Sequence, residues 1–371
     1  MYLQVILAGL LAFAAACELP EHMKRALPTK TVIKNVHIFD GNQFSAKTSS
    51  IVIVGGMISN APALGATNIV DGAGGYLIPG LIDSHCHVTS CAYLTTMRQY
   101  GITTALDMGT YPYSAISSCK GHGVTDIRGS GAAATVNGTA ISKIPATPSL
   151  LRTVSRKAQI ISKFSSTPLG PDPTTVAAIV EAAHEAGKRV ISHATTYADY
   201  SVAEGAEVDI PCHVPLDAPI NASSIASLIS NKSTVVPTLI MMQSIVNNTG
   251  APPIVYTSAA EASVSNMHNG GVPILVGTDA NTSPFVPANP PFGSSIHDEL
   301  ELLVAAGLPP AQAIQGATSL AATKFGLYDR GAIKAGFRAD LALLSADPTT
   351  NIKNSRSIQK VWVDGVEADI A

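Results

Sequence analysis

The segment LIPGLIDSHCHV, residues 77–88, places two histidines two positions apart at the end of an apolar run. An apolar run that turns at a Pro-Gly pair and then resumes is typical of a buried strand. Side chains alternate along a strand, so His85 and His87 would share one face and Cys86 would point to the other. Two parallel imidazoles can be a pair of metal ligands. The alternative is a half-buried strand end with two hydrogen-bonded histidines, and the rest of the chain has to decide between them.

Short β-branched runs recur along the chain after this segment, and Ala-rich helical stretches separate several of them. Repeated strand–helix units predict a parallel sheet. Eight such units predict an α/β fold of the TIM (β/α)8 barrel type, whose reactive groups lie at the C-terminal ends of the strands. The predicted strands are 81–87, 102–107, 126–131, 159–164, 189–194, 208–213, 234–239 and 273–279.

Both ends of the chain depart from this pattern, because their short strands are joined by Gly-rich turns without helices. We expect the two end segments to meet in one small β-sandwich beside the barrel. The predicted domains are a signal peptide at 1–16, the N-terminal part of the β-sandwich at 17–75, the TIM barrel at 76–330 and the C-terminal part of the β-sandwich at 331–371.

The first residues read as a targeting segment. Residues 5–16 form an apolar run of signal-peptide length that ends in an A-x-A pattern. The run is too short for a membrane anchor, which needs about 20 apolar residues. We therefore predict secretion without a stable membrane anchor, with a cytoplasmic location as the alternative. Cys91 and Cys119 are the first candidates for a disulfide. Glycosylation sequons predict a glycoprotein and lie at Asn137, Asn221, Asn231, Asn247 and Asn281.

Composition limits the class of partner. Of the 371 residues, 13% are charged and the formal net charge is -3, and the mean hydropathy is +0.26. A chain without a basic surface lacks the electrostatic footprint of nucleic-acid binding. We predict a small-molecule substrate and no nucleic acid, and a homo-oligomer remains open.

Polar side chains end most of the predicted barrel strands. Each of them alone has a structural explanation, such as a satisfied histidine, a solvated lysine or a helix-capping aspartate. On one rim of a closed barrel, however, they converge on the axis, and a convergent cluster of this composition is a metal site. The candidate ligands are His85, His87, Lys163, His193, His213 and Asp279.

The motifs that carry these residues resemble the amidohydrolase superfamily, in its imidazolonepropionase-like and prolidase-like branch. The matching pieces include PGLIDSHCHV, GITTALDMG, EAAHEAGKRVISHATT and GVPILVGTDA, and together the matches extend from about residue 31 to 366. An HxH pair after a PG-LID strand, with GTD near the end, is a specific combination. The resemblance implies a TIM barrel with a β-sandwich built from both terminal segments, in agreement with the strand pattern.

The resemblance also implies how the ligands divide. His85 and His87 would bind one metal ion, and His193 and His213 would bind a second. Asp279 would bind metal and also move protons, which makes it the catalytic residue.

Lys163 matches the lysine that, in members of the superfamily with two ions, is carboxylated by CO2 and bridges both. A buried lysine loses its proton easily, and the neutral amine can form a carbamate. The expected cofactors are therefore two divalent ions with carboxylated Lys163 between them. Zn²⁺ fits an imidazole-rich site best, with Mn²⁺, Fe²⁺ and Co²⁺ as alternatives.

These ligands predict a hydrolase that cleaves a C–N amide bond. Two ions lower the pKa of a shared water, the resulting hydroxide attacks a carbonyl, and Asp279 passes the proton to the leaving group. A dipeptide or an N-acyl amino acid is the first substrate class, and a cyclic amide or lactone is the second. A metal-dependent lyase or decarboxylase and a binding protein without turnover are the rival functions. His297 and Tyr197 are candidate substrate contacts.

Overall fold

A computed structural model gives the architecture of most of the chain. The predicted signal peptide, the sequon at Asn137 and the candidate ligand Lys163 lie outside the part that it describes. The described residues are 29–110, 114–121, 123–130, 134–135, 144–145, 160–162, 171–368 and 370.

Four strands open the described chain, helices and strands then alternate, and three strands close it. The strands are β1 (Lys30–Ile38), β2 (Ser49–Val54), β3 (Met57–Ser59), β4 (Asn68–Pro79), β5 (Leu81–Cys86), β6 (Ile102–Asp107), β7 (Asp126–Gly129), β8 (Ala134–Thr135), β9 (Ile144–Pro145), β10 (Ile160–Ser162), β11 (Val190–His193), β12 (Ile210–Cys212), β13 (Leu341–Leu344), β14 (Ile358–Val363) and β15 (Val366–Ala368). The α-helices are α1 (Cys91–Gln99), α2 (Ser114–Ser117), α3 (Pro173–Glu185), α4 (Tyr197–Gly205), α5 (Ala222–Ser230), α6 (Leu239–Thr249), α7 (Ala262–Asn269), α8 (Ser295–Ala305), α9 (Pro310–Gly316) and α10 (Ser319–Lys324). A π-helical turn (Tyr256–Glu261) precedes α7, and a 3-10 helix (Ile352–Arg356) precedes β14.

Parallel pairing orders the central strands. One sheet has the order β5-β6-β7, and a second has the order β12-β11-β10-β8-β9. Two segments between them, near residues 235 and 274–280, connect the sheets by isolated parallel bridges. A parallel arc therefore runs from β7 through β5 and β12 to β10. The connecting bridges are Cys86–Ala280, Val235–Ile274 and Cys212–Val236.

The seventh and eighth predicted strands are shorter than expected. Residues 234–239 and 273–279 form only isolated bridges, and helix α6 already begins at Leu239. Pro237 and Pro273 provide the physical reason, because proline has no N–H to donate to a strand ladder. The sequence pattern located both segments correctly but overestimated how far their pairing extends.

The inner face of the arc is filled by apolar side chains. Residues from six of its segments pack into one cluster, and residues of α10 together with Phe325, which follows it, complete the cluster. Complete burial of such a side chain stabilises a fold by about 1.5–3 kcal/mol. The cluster includes Ile82, Leu106, Ile191, Ile210, Leu275 and Phe325. The polar residues at the strand ends follow these apolar positions along the chain, as His193 follows Ile191 in β11.

The two terminal segments form one mixed seven-stranded sheet in the order β15-β14-β13-β4-β1-β2-β3. Alternate residues of β13 serve two cores: Leu341 and Leu343 face the core of this sheet, and Leu344 faces the core shared with the barrel strands. The sheet curls, so that its edge strand β3 reaches the chain that leads into β13. The N–H of Ile58 in β3 donates to the carbonyl of Phe337 at 2.8 Å. Where two facing sheets were expected, the described residues form a single curled sheet. Its strand β4 extends past the expected boundary at residue 75.

Two further features concern export. The predicted disulfide is confirmed: Cys91, the first residue of α1, is bonded to Cys119 in the loop after α2. Within the described ranges, no helix combines the length and the apolar character needed to cross a membrane.

Candidate metal centre

Five predicted ligands come together at the C-terminal ends of the parallel strands. His85, His193 and His213 form one group of potential ligand atoms, all within 4.8 Å of one another. His85, His87 and Asp279 form a second group by the same measure. His85 belongs to both groups, so the five side chains surround one centre. All are buried except His87, whose side chain is 22% exposed and therefore lies on the solvent side.

Backbone contacts between β5 and the segment after residue 273 fix two members of the second group, His85 and Asp279. The N–H of Asp279 donates to the carbonyl of His85 at 2.7 Å. The segment can approach this closely because of Gly277, where an added Cβ would lie 2.9 Å from the Cβ of His85. Asp83 supports both sides, since it accepts from the N–H of His85 at 3.1 Å and from the Thr278 hydroxyl at 2.7 Å.

Asp279 is the anionic group of the centre. Its Oδ1 lies 3.3 Å from Nε2 of His85 and 3.0 Å from Nε2 of His87. Burial alone would raise the pKa of Asp279, but hydrogen bonds from His85 and His87 outweigh it and hold this pKa well below its usual value. The carboxylate is therefore ionised at neutral pH and can bind a cation or accept a proton.

The second pair of histidines ends two neighbouring strands. His193 closes β11 and His213 follows β12, and their Nδ1 and Nε2 atoms lie 2.8 Å apart. The other ring nitrogen of His213, Nδ1, lies 2.7 Å from the hydroxyl of Thr238. The carbonyl of His213 accepts from the Tyr200 hydroxyl at 2.8 Å. Metal-binding histidines usually have such an oxygen partner on the nitrogen that faces away from the ion, because it fixes the orientation of the ring.

Three residues of the centre have a left-handed backbone. The φ angles are 69° at His213, 49° at Thr238 and 54° at Asp279. Non-glycine residues rarely adopt this conformation, and a β-branched residue such as threonine is strained in it. Backbone strain of this kind clusters at functional sites, where the surroundings hold it in place.

The donor set fits a divalent ion. Four imidazoles and one carboxylate are the ligands that Zn²⁺ prefers, and their convergence in a mostly buried position matches a metal site. Lys163 lies outside the described residues. The strand before it, β10, pairs in parallel with β11, which ends at His193. In this pairing Ser162 is in register with Ser192, the residue that precedes His193.

The structure brings neither candidate substrate contact into the two ligand groups. His297 is buried in α8 with its Nδ1 3.0 Å from the Ser355 hydroxyl. Burial and the charge of Arg356 lower the pKa of His297 to about 3. Tyr197 begins α4, and its hydroxyl lies 3.1 Å from that of Ser224. Their contact with substrate stays a prediction. Sequence reasoning missed the contact of Thr238 with His213, because Thr238 belongs to no recognisable motif.

Comparison with known proteins agrees with this geometry. The structure superposes on a Xaa-Pro dipeptidase with bound methionine at a TM-score of 0.75 and 22% identity, over 91% of this chain and 99% of that one. It superposes on A. niger ochratoxinase at a TM-score of 0.74 and 16% identity, over 93% and 96% of the two chains. At these identities the likeness shows a shared fold.

Sequence relatives and a family profile show more than the fold, because they identify the family of the chain. Adenine deaminase 2 of Desulfotalea psychrophila is 44% identical over 71 residues, which are 19% of this chain and 11% of that protein. Adenine deaminase of Desulfatibacillum aliphaticivorans is 24% identical over 341 residues, which are 86% of this chain and 55% of that protein. The chain thus spans about half or less of these curated relatives. The profile of the amidohydrolase family matches residues 76–368, from β4 to the last strand, and the chain therefore belongs to the amidohydrolase family.

Proposed function

We propose that this protein is a metal-dependent hydrolase that cleaves the C–N amide bond of a dipeptide or an N-acyl amino acid. The observation that carries the proposal is the convergence of four histidines and one aspartate on a single centre. Membership of the amidohydrolase family supports a hydrolase acting on C–N bonds. The Xaa-Pro dipeptidase among the proteins of the same fold favours the dipeptide class.

We assign the ligands to two ions, as the resemblance to amidohydrolases with two metals implies. His85 and His87 would hold one ion, His193 and His213 the other, and Asp279 would complete the set. Bound divalent ions, most readily Zn²⁺, supply Lewis acidity to the carbonyl and lower the pKa of water.

Asp279 is the group that moves the proton. It is ionised at neutral pH, it is 6% exposed, and its Oδ1 faces the two imidazoles of β5 and the loop that follows. A carboxylate in this position can accept the proton of the attacking water and return it to the leaving nitrogen. The products are a carboxylic acid and an amine.

A cavity whose lining includes Asn281, two residues after Asp279, has the size for a small molecule. Helix α1, which follows His87, and the loop after Asp279 line a cavity of about 660 Å³, within the range of ligand pockets. Tyr93 and Phe292 stack in its wall with ring centroids 4.2 Å apart. Aromatic walls favour a substrate with an apolar side chain or acyl group.

Substrate screening of Zn²⁺-loaded protein tests the proposal. We expect turnover of at least one dipeptide or N-acyl amino acid, with two products whose masses sum to substrate plus one water. Cyclic amides, lactones and adenine form the comparison set, the last because of the names of the sequence relatives. Release of CO2, or cleavage without uptake of water, would instead favour a lyase. Tight metal binding without turnover of any class would favour a binding protein.

Metal content tests the role of Lys163. We expect about two divalent ions per chain in protein purified without chelator, and about one in Lys163→Ala. The strand that precedes this residue, Ile160–Ser162, pairs with the strand that ends at His193, which supports a position at the rim. One tightly held ion in both proteins would reject the carboxylated lysine and leave the hydrolase proposal intact.

Two structural predictions belong to the proposal. We infer that the strands of the parallel arc belong to one eight-stranded barrel, as membership of the amidohydrolase family implies. We also infer export, because the disulfide between Cys91 and Cys119 is typical of proteins in oxidising compartments. We keep a small molecule as the expected substrate. Size-exclusion chromatography with light scattering would establish whether the protein forms a homo-oligomer.

A further inference from the structure

Helix α8 contributes a buried carboxyl group that reaches another helix. Glu299 is completely buried, and its Oε2 accepts a hydrogen bond from the N–H of Ile240 at 2.8 Å. Ile240 lies in the first turn of α6, where backbone N–H groups have no partner within their own helix. Burial raises the pKa of Glu299 to about 8, although the N–H groups of Ile240 and Leu239 lower it. Glu299 therefore takes the place of a local capping residue.

The residue that would ordinarily cap α6 is occupied elsewhere. Thr238 precedes the helix but makes no side-chain cap hydrogen bond. Its hydroxyl instead lies 2.7 Å from Nδ1 of the candidate ligand His213. A threonine at a helix start normally satisfies the first N–H groups, and losing that cap costs about 1 kcal/mol. The carboxylate from α8 compensates for it.

The backbone at this point is strained and therefore needs support. Thr238 has φ 49° and ψ 50°, an uncommon conformation for a β-branched residue. Its carbonyl accepts from the N–H groups of Met241 and Met242 at 2.9 and 3.1 Å. The conformation of Thr238 is thus fixed by the first turn of α6, and that turn is held by Glu299.

We propose that Glu299 is a positioning residue of the metal centre: by holding the first turn of α6, it keeps the Thr238 hydroxyl on the imidazole of His213. The path runs from the carboxylate to Ile240, through one helical turn to Thr238, and from there to the ligand. The proposal rests on the proposed metal-binding function. Helix α8 would then support the metal centre through Glu299. The predicted substrate contact His297 lies two residues earlier in the same helix.

Metal affinity, measured by competition with a chelator, tests the path without depending on catalysis. Glu299→Leu introduces an apolar side chain of similar size and removes the hydrogen-bond acceptor. We expect this variant to bind Zn²⁺ about 10-fold more weakly. Glu299→Gln retains an oxygen that can accept from Ile240, and its affinity should stay within about threefold of wild type. Glu301→Leu is the matched control, because Glu301 lies on the same helix but pairs with Arg356 at the surface.

A double-mutant cycle separates positioning from simple helix capping. Thr238→Val removes the hydroxyl and should weaken Zn²⁺ binding about as much as Glu299→Leu. If both residues act through the same contact, the double variant should bind no more weakly than Thr238→Val alone. Urea unfolding of the metal-free variants gives their stability separately, and the visible spectrum of the Co²⁺-loaded forms reports the ligand geometry.

Each outcome has one meaning. A variant Glu299→Leu that is less stable but has wild-type Zn²⁺ affinity, or losses that add in the double variant, would overturn the proposal. If Glu299→Leu does not fold, Glu299→Asp retracts the carboxylate by one methylene, and unchanged affinity in that variant would be equally decisive. Wild-type protein that binds no divalent metal would overturn both this proposal and the proposed function. Normal wild-type binding with unaffected variants would overturn this one alone.

Discussion

Arg330 joins the segment after α10 to strands β6 and β7, and its replacement should destabilise the protein strongly. The side chain is 1% exposed, and its Nη1 lies 2.8 Å from Asp126 of β7 and 3.0 Å from the Thr104 hydroxyl of β6. Asp340, which precedes β13 and is 2% exposed, lies 3.8 Å away. Arg330→Met would remove this cation from buried Asp340 and from Asp126, which is 13% exposed. Breaking a buried ion pair from one side costs about 3–5 kcal/mol.

The chain contains a matched control on the same carboxylate. Arg128 lies 3.0 Å from Asp126 through its Nε, but its side chain is 47% exposed. An exposed ion pair contributes only about 0–1 kcal/mol, because water already screens both charges. Arg128→Met should therefore cost several-fold less free energy of unfolding than Arg330→Met. Urea unfolding of both variants at neutral pH measures the difference.

The pH dependence gives a second check. Burial would raise the pKa of Asp126, but the charges of Arg330, Arg128 and Arg338 outweigh it and hold this pKa below its usual value. A lowered folded-state pKa means that the ionised carboxylate stabilises the fold above its unfolded-state pKa of about 3.9, and that this contribution is lost as pH falls through the folded-state value. The deficit of Arg330→Met should therefore shrink below about pH 4. Equal costs for the two arginine variants at neutral pH would refute the reasoning.

Three other outcomes follow from single contacts. Asp279→Asn should retain much of the metal, since four histidines remain, yet lose on the order of 10²-fold in turnover; near wild-type turnover would assign the proton transfer elsewhere. Replacing Cys91 and Cys119 by serine opens a bridge with a sequence separation of 28 and should cost about 3–4 kcal/mol of unfolding free energy in a urea titration; an unchanged midpoint would contradict this. After expression through a eukaryotic secretory pathway, glycopeptide mass spectrometry should find glycan at exposed Asn221 and none at buried Asn281.

The strand pattern predicted the central fold where the strands are uninterrupted. The observed strands β6 (Ile102–Asp107) and β11 (Val190–His193) end at or within a residue of their predicted limits. Both are continuous runs with β-branched residues, which is the signal that the pattern reads. The segment at 234–239 was predicted less well, because a proline and a left-handed threonine stop the pairing. Local hydrophobicity does not register either effect.

Five of the candidate ligands that the sequence indicated lie together in the structure, but the residues that support them could not be predicted from sequence. His85 and His87 are two apart at the end of a predicted strand, so spacing alone predicts that they are neighbours. Glu299 and Ile240 are separated by 59 positions, and only the packing of α8 against α6 makes them partners. His297 had the more suggestive residue type, yet its ring points to the Ser355 hydroxyl. Residue type therefore identified the groups that can hold an ion and could not identify the groups that orient them.

The left-handed residues show why this centre needs such support. A strand directs its side chains alternately to two faces, so the inward position at a strand end is fixed by parity. Cys212 packs in the inner cluster of the barrel, and parity alone would turn the next residue, His213, away from it. A left-handed φ of 69° at His213 breaks the alternation, and the imidazole joins the ligand groups instead. Strain of this kind costs about 1–3 kcal/mol per residue. The hydrogen bonds of His213 to Tyr200 and Thr238 offset that cost, and they hold the ring where a metal ion can use it.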